Sequence, residues 1–217
     1  DTNFGNDGVL YTPQDYHRLV QQSDGKIITG FVLFGVNGFY FKRLFPDGSY
    51  DNTFGNKGQC FINAKSEDGH DIFFTHMDNI SLQPSGKIVF CGYVNGSITK
   101  NKSFISAAVG RITADGFPDS TFHKNGIAPY YINDKATLYA VNAVIQPDNK
   151  IIVGSYVLNN NYKNDTTILV RLNNNGSYDK SFGVNGIVRK PASNGFNIPY
   201  IAITPIVQFV TGCRACH

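Results

Sequence analysis

A short phrase returns four times along the chain: Asp-Thr-Asn-Phe-Gly from Asp1, Asp-Asn-Thr-Phe-Gly from Asp51, Asp-Ser-Thr-Phe-His from Asp119 and Asp-Lys-Ser-Phe-Gly from Asp179. A second phrase lies between the copies, reading QSDGKIITG from Gln22, QPSGKIVFCG from Gln83 and QPDNKIIVG from Gln146. The glycines that close it, Gly30, Gly92 and Gly154, are evenly spaced, at a period of about 60 residues. Two landmarks in a fixed order define an internal repeat. That confines the chain to folds made by stacking one supersecondary unit.

Within the first unit, residues 17–22 are a short apolar stretch and Ser23-Asp24-Gly25 is a turn with glycine supplying the positive φ. Residues 26–32 are a β-branched strand, and residues 38–44 alternate apolar and polar as a half-buried strand does. Pro46-Asp47-Gly48 turns the chain, and the Asp51…Phe54 phrase leads into a further strand over 58–63. The second and third units repeat this order. Four short antiparallel strands per unit is the content of a propeller blade. Composition agrees, since a chain 16% charged and 13% aromatic suits sheets better than salt-bridged helices. The expected fold is all-β: a β-propeller-like array of four-stranded antiparallel blades, about three full repeats plus partial strands at both ends. The expected divisions are a partial strand at 1–13, repeats at about 14–64, 65–131 and 132–190, a partial fourth repeat at 191–208 and an atypical tail at 209–217.

The net charge of +3 is small and the basic residues are scattered, which argues against nucleic acid as a partner. No apolar run approaches the roughly 20 residues that span a bilayer. The chain opens at Asp1 without Met, as a processed form or an excised piece would.

The phrases resemble the delta-60 repeat, a bacterial family with the pattern Q-P-D-G-K-I-hydrophobic-x-G followed by R-L-x-x-D-G-x-x-D-x-x-F-G. The match pairs 22–30 with RLFPDGSYDNTFG (43–55), 83–92 with RITADGFPDSTFH (111–123), and 146–154 with RLNNNGSYDKSFG (171–183). Asn149 replaces a turn glycine, Asn175 an aspartate, and His123 the glycine after Phe122. The resemblance implies a propeller-like, non-enzymatic binding or structural module in an extracellular, cell-surface or periplasmic bacterial protein. Apart from the resemblance, the Asn and Tyr of the polar stretch 159–165 would suit a protein or a glycan as ligand. The family carries no accepted catalytic residues, so none is assigned, and no cofactor is implied.

The third strand of each unit carries an arginine, Arg43, Arg111 or Arg171. Recurrence points to a scaffold role, the guanidinium bonding the aspartate of the next turn or a loop carbonyl, over a ring of cations facing a channel ligand. Asp51, Asp119 and Asp179 read as turn-capping groups, with calcium as the alternative. Phe54, Phe122 and Phe182 read as apolar pegs between blades. His70, Asp71, His76 and Asp78 are the only local cluster that suits a metal-dependent propeller hydrolase; the plainer reading is a solvated loop leading into a strand. Cys213, Cys216 and His217 spell C-x-x-C-H, the c-type haem attachment motif, at the end of a tail that departs from the repeat after Gln208. Cys60 and Cys91 read as buried apolar residues, with a bridge between them open. Three units leave sheet faces that self-association or further sequence must cover.

Overall fold

The computed structural model describes residues 2–11, 18–33, 35–64, 71–99, 102–123, 126–130, 137–158 and 166–191. They form three four-stranded antiparallel sheets and no α-helix. The first sheet holds β1 (Arg18–Gln21), β2 (Ile27–Phe31), β3 (Gly38–Leu44) and β4 (Gln59–Asn63). The second holds β5 (Asp71–Leu82), β6 (Ile88–Thr99), β7 (Lys102–Ile112) and β8 (Ile127–Tyr130). The third holds β9 (Thr137–Ile145), β10 (Ile151–Leu158), β11 (Thr166–Leu172) and β12 (Ile187–Pro191). Each sheet pairs its strands in chain order, the pattern of a propeller blade.

The sequence repeat is a repeat of register. Arg43 stands opposite Ile28, Arg111 opposite Val89 and Arg171 opposite Ile152. The turn between the first two strands is also rebuilt each time. Gln22, Gln83 and Gln146 each donate their N–H to the carbonyl of Lys26, Lys87 or Lys150 at 2.8 Å. Gly25 and Gly86 hold positive φ in that turn, and Asn149 takes the same place at φ 63°, a conformation that asparagine tolerates better than other side chains.

Alternation divides the strands between two cores. Ile28, Phe39 and Phe41 of the first blade meet Met77, Ile88, Phe90 and Ile112 of the second. Val89, Cys91, Ala107 and Val109, on the other face of the second blade, meet Leu138, Ile151, Val153 and Val170 of the third. The middle sheet is thus buried on both faces over residues 88–94 and 107–110, which is why those stretches of β6 and β7 are apolar nearly throughout. A smaller cluster, Ile152 and Leu169 with Val144 and Phe182, lies on the far face of the third blade.

The leading strands β1, β5 and β9 pack against one another. Arg18 Nε donates to the Asp78 carbonyl at 2.7 Å, and Ser81 Oγ to the Ala143 carbonyl at 2.9 Å.

The first described residues differ from the outer strand that their sequence suggests. Asn6 and Val9 form a bridge like that of Asn56 with Gln59, but residues 10 and 11 are not in a strand. β4 is held by β3, whereas Leu10 and Tyr11 have no third strand beside them among the described residues. The expected opening strand of a fourth unit and the tail lie outside the described residues.

Candidate functional site

Eight residues separate each third-strand arginine from its corner aspartate, and the structure closes that interval into a compact corner. Arg43 Nε donates to Asp51 Oδ2 at 2.9 Å, Arg111 Nε to Asp119 Oδ2 at 2.7 Å, and Arg171 Nε to Asp179 Oδ2 at 2.8 Å. The other carboxylate oxygen accepts from the backbone and hydroxyl of Thr53, Thr121 or Ser181 two residues on. Each guanidinium also lies over a phenylalanine ring, 4.9 Å from Phe54, 4.9 Å from Phe122 and 4.6 Å from Phe182.

These contacts set the charge state. At Asp51 and Asp119 burial works against ionisation, but the hydrogen bonds and nearby cations outweigh it and hold both carboxyls below the usual range. The Ser181 hydroxyl, then Lys150, do the same for Asp179 against the opposing effect of burial. Lys87 and Lys150 reach Asp119 and Asp179 at 2.8 and 3.0 Å, while Lys26 pairs with Asp24 instead at 3.3 Å.

The corner is also a lock between blades. Gly55 N–H donates to the Asp115 carbonyl at 2.7 Å, and His123 N–H to the Asn175 carbonyl at 2.9 Å. The second lock is the more developed. Arg111 Nη1 reaches both the carbonyl and side-chain oxygens of Asn174 at 2.6 Å, and Gln83 Nε2 meets the same side-chain oxygen at 3.2 Å. Gly116 must be glycine: a methyl there would stand 2.7 Å from the Phe54 ring, at φ +88°. Asn174 has no distinctive sequence signal, because the first two units carry Pro46 and Ala114 in its row.

A different set of side chains spans the first two strands of the second and third blades. His76 stacks on Tyr93 at 4.9 Å, Tyr93 meets Tyr139 edge-on at 4.8 Å, and Tyr139 stacks on Tyr156 at 5.0 Å. His76 Nδ1 lies 3.1 Å from Asp78 Oδ2. Burial, with Asp78 and Tyr139 adding to it, raises the Tyr93 phenol above its ordinary value, so it stays a neutral hydroxyl. All four rings are half-buried. The tyrosines carried a faint signal in sequence, the recurrence of Tyr-Val after the second-strand core in 93–94 and 156–157. Near the turns, Gln22, Gln83 and Gln146 converge with Ser23, Leu82 and Pro147 on an open cavity of about 490 Å³.

Three stretches of the chain, 22–54, 83–122 and 146–182, match the family described as domain of unknown function (DUF5122) beta-propeller, and together they make up half of its length. The chain belongs to this family. Each DUF5122 stretch runs from a repeat glutamine to a corner phenylalanine, so the matched part of each blade starts at the cavity and ends at the lock. No curated protein matches the chain.

The remaining sequence candidates are placed as follows. Asp71, His76 and Asp78 belong to β5, a twelve-residue strand, so this stretch is sheet rather than the loop its polarity suggests. His70 lies outside the described residues. Among the described residues no three His, Cys, Asp or Glu gather as metal ligands would. The Asp47 oxygen that calcium would need accepts from Ser49 N–H and Oγ at 2.9 and 2.7 Å. Cys60 and Cys91 are free, buried thiols in different cores, and burial pushes Cys60 up to about 12. Cys213, Cys216 and His217 lie outside the described residues. Among the described residues no helix is long and apolar enough to cross a membrane.

Proposed function

We propose that this DUF5122 chain is a non-enzymatic binding module of the delta-60 repeat type, with units near 14–64, 65–131 and 132–190, working in an exported or surface-held bacterial protein. Its ligand contacts lie on the first two strands of the second and third blades, at His76, Tyr93, Tyr139 and Tyr156. One observation carries this reading. The charged groups that recur in every blade are engaged in the corners, while the aromatic cluster draws its tyrosines from only two blades and its histidine from one. In repeat proteins a residue present in every unit holds the scaffold, and a residue peculiar to one or two units is free to serve a ligand. Tyrosine and histidine rings offer flat apolar faces and hydrogen-bonding edges, which suits a glycan or a polar peptide.

Tyrosine emission tests this directly, because the chain holds 12 tyrosines and no tryptophan. Titration with soluble oligosaccharides should change that emission, and Tyr93→Ala or Tyr139→Ala should remove the response with the melting temperature nearly unchanged. A response that survives both substitutions would place the ligand elsewhere.

The His76–Asp78 contact favours a second reading, a metal-dependent hydrolase using His70, Asp71, His76 and Asp78. Zinc-dependent turnover of an ester or phosphoester that His76→Ala abolishes would establish it. A c-type haem on Cys213, Cys216 and His217 would announce itself as a Soret band in protein made with the haem-attachment machinery.

A further inference from the structure

The lock between blades is directional. Each corner gives hydrogen bonds, and the turn of the following blade receives them. Gly5 N–H donates to the Asp47 carbonyl at 2.9 Å, so the first turn is filled as the second and third are. Arg43 Nη1 reaches the Ala114 carbonyl at 3.0 Å, beside the Asp115 carbonyl held by Gly55. Arg111 Nη1 and His123 N–H use the adjacent carbonyls of Asn174 and Asn175 in the same way. Two successive carbonyls followed by Gly116 or Gly176 are thus the shape that a corner accepts.

The third blade carries the giving half of this lock with its outward groups unused. Arg171 spends Nε on Asp179 and Nη2 on Ser181, while Nη1 and the Gly183 N–H have no acceptor among the described residues. Gln83 Oε1 accepts from Arg111 Nη1 at 3.2 Å, whereas Gln22 and Gln146 both have Oε1 buried without a donor, so the glutamines do not distinguish a filled corner from an open one. Gly183 already holds the backbone conformation of the giving half, at φ 55° against 60° for Gly55.

We infer that the corner formed by Arg171, Asp179 and Gly183 is a docking site for the turn of a further repeat, which brings two successive carbonyls and a glycine. A second copy of this chain is the wrong occupant on two counts. All three of its receiving turns are already filled, by Gly5, Gly55 and His123. The sheet face it would bring forward also carries a charge, beside the rings of Phe31, Tyr40 and Phe61. Thr29, Tyr40, Lys42 and Gln59 stand there in the register places that Phe90, Ala108, Gly110 and Ile127 occupy on the second blade. Burying Lys42 against another blade without a counter-charge would be costly. The occupant therefore has small or apolar residues in those places, as the second and third blades do. This inference rests on blade packing alone and stands or falls apart from the ligand reading.

Hydrogen exchange on two proteins tests it: the 217-residue chain, and the same chain with a second copy of residues 132–190 inserted directly after residue 190. In the extended protein the Gly183 amide should slow by at least about tenfold, towards the protection of Gly55, and Gly176→Val made only in the added copy should reverse that gain. The proposal is overturned if the added repeat shows protected amides of its own while Gly183 exchanges as before. It is equally overturned if Gly183 is protected in the unextended chain in step with a concentration-dependent dimer, which would make a second copy the occupant.

Discussion

Arg111 is 1% exposed, and a guanidinium survives such burial only when its inward-pointing hydrogens find oxygens. They do: Asp119, Thr121, Gln83 and Asn174 surround it. Arg171 makes the same ion pair in a side chain 20% exposed and reaches no neighbouring blade. Removing one partner of a buried pair leaves the other uncompensated, so Arg111→Ala should cost about 3 kcal/mol in urea unfolding. Arg171→Ala should cost about 1 kcal/mol or less, because its pair is closer to water. Equal losses would mean that the lock to Asn174 contributes nothing. Arg111→Lys should rescue little, since an ammonium cannot reproduce the planar fork. Acid should expose the same chemistry. All three corner carboxyls sit below their ordinary value when folded, so their contribution is complete above about pH 4. It should be lost as the pH falls from there through the folded-state values, visible as a melting temperature that drops on acidification and a smaller drop in Asp119→Asn. The pairing of arginine with corner aspartate was legible from their recurrence. Asn174 was not, because its contribution comes from contact with another blade and leaves no pattern in its own.

Strands raise a different question, how one sheet packs on both faces without gaps. Phe90 lies across Gly110 on the next strand, where a methyl would come within 2.1 Å of its ring. The bare glycine is the space that the ring fills, a pairing that adjacent strands use to bury an aromatic flat. Gly110→Ala should therefore destabilise by about 2 kcal/mol through overpacking. In Phe90→Ala background the same change should cost far less, and strictly additive losses in that double-mutant cycle would refute the contact. Strand existence and order were readable from β-branched runs bounded by turn residues, since both signals are local. The extent of β5 was not. Asp71 and His76 look like loop residues, but they pair with Ser97 and Tyr93 of β6, with Asp78 at a bulge between paired residues, and pairing with a neighbour overrides polarity.

At the scale of the molecule, the second blade belongs to both main cores, and among the described residues neither core joins the first blade to the third without it. In a linear array the shared unit opens last. Amides of β6 and β7 should be the slowest to exchange, and Phe54→Ala, which empties the peg between the first two blades, should cost about 3 to 4 kcal/mol and open the first blade ahead of the third. Exchange that is uniform across the blades would mean the array unfolds as one body. The unequal treatment of the two rims has a consequence for how such chains diverge. Between arginine and aspartate the interval is eight residues in every unit, because a longer or shorter one would pull the guanidinium off its carboxylate. Between Gly30 and Arg43, Gly92 and Arg111, and Gly154 and Arg171 the intervals all differ. Changes of length are thus absent at one end of the blades and present at the other. Descendants of one ancestral unit can keep a common locking mechanism while their opposite rims drift towards unrelated specificities.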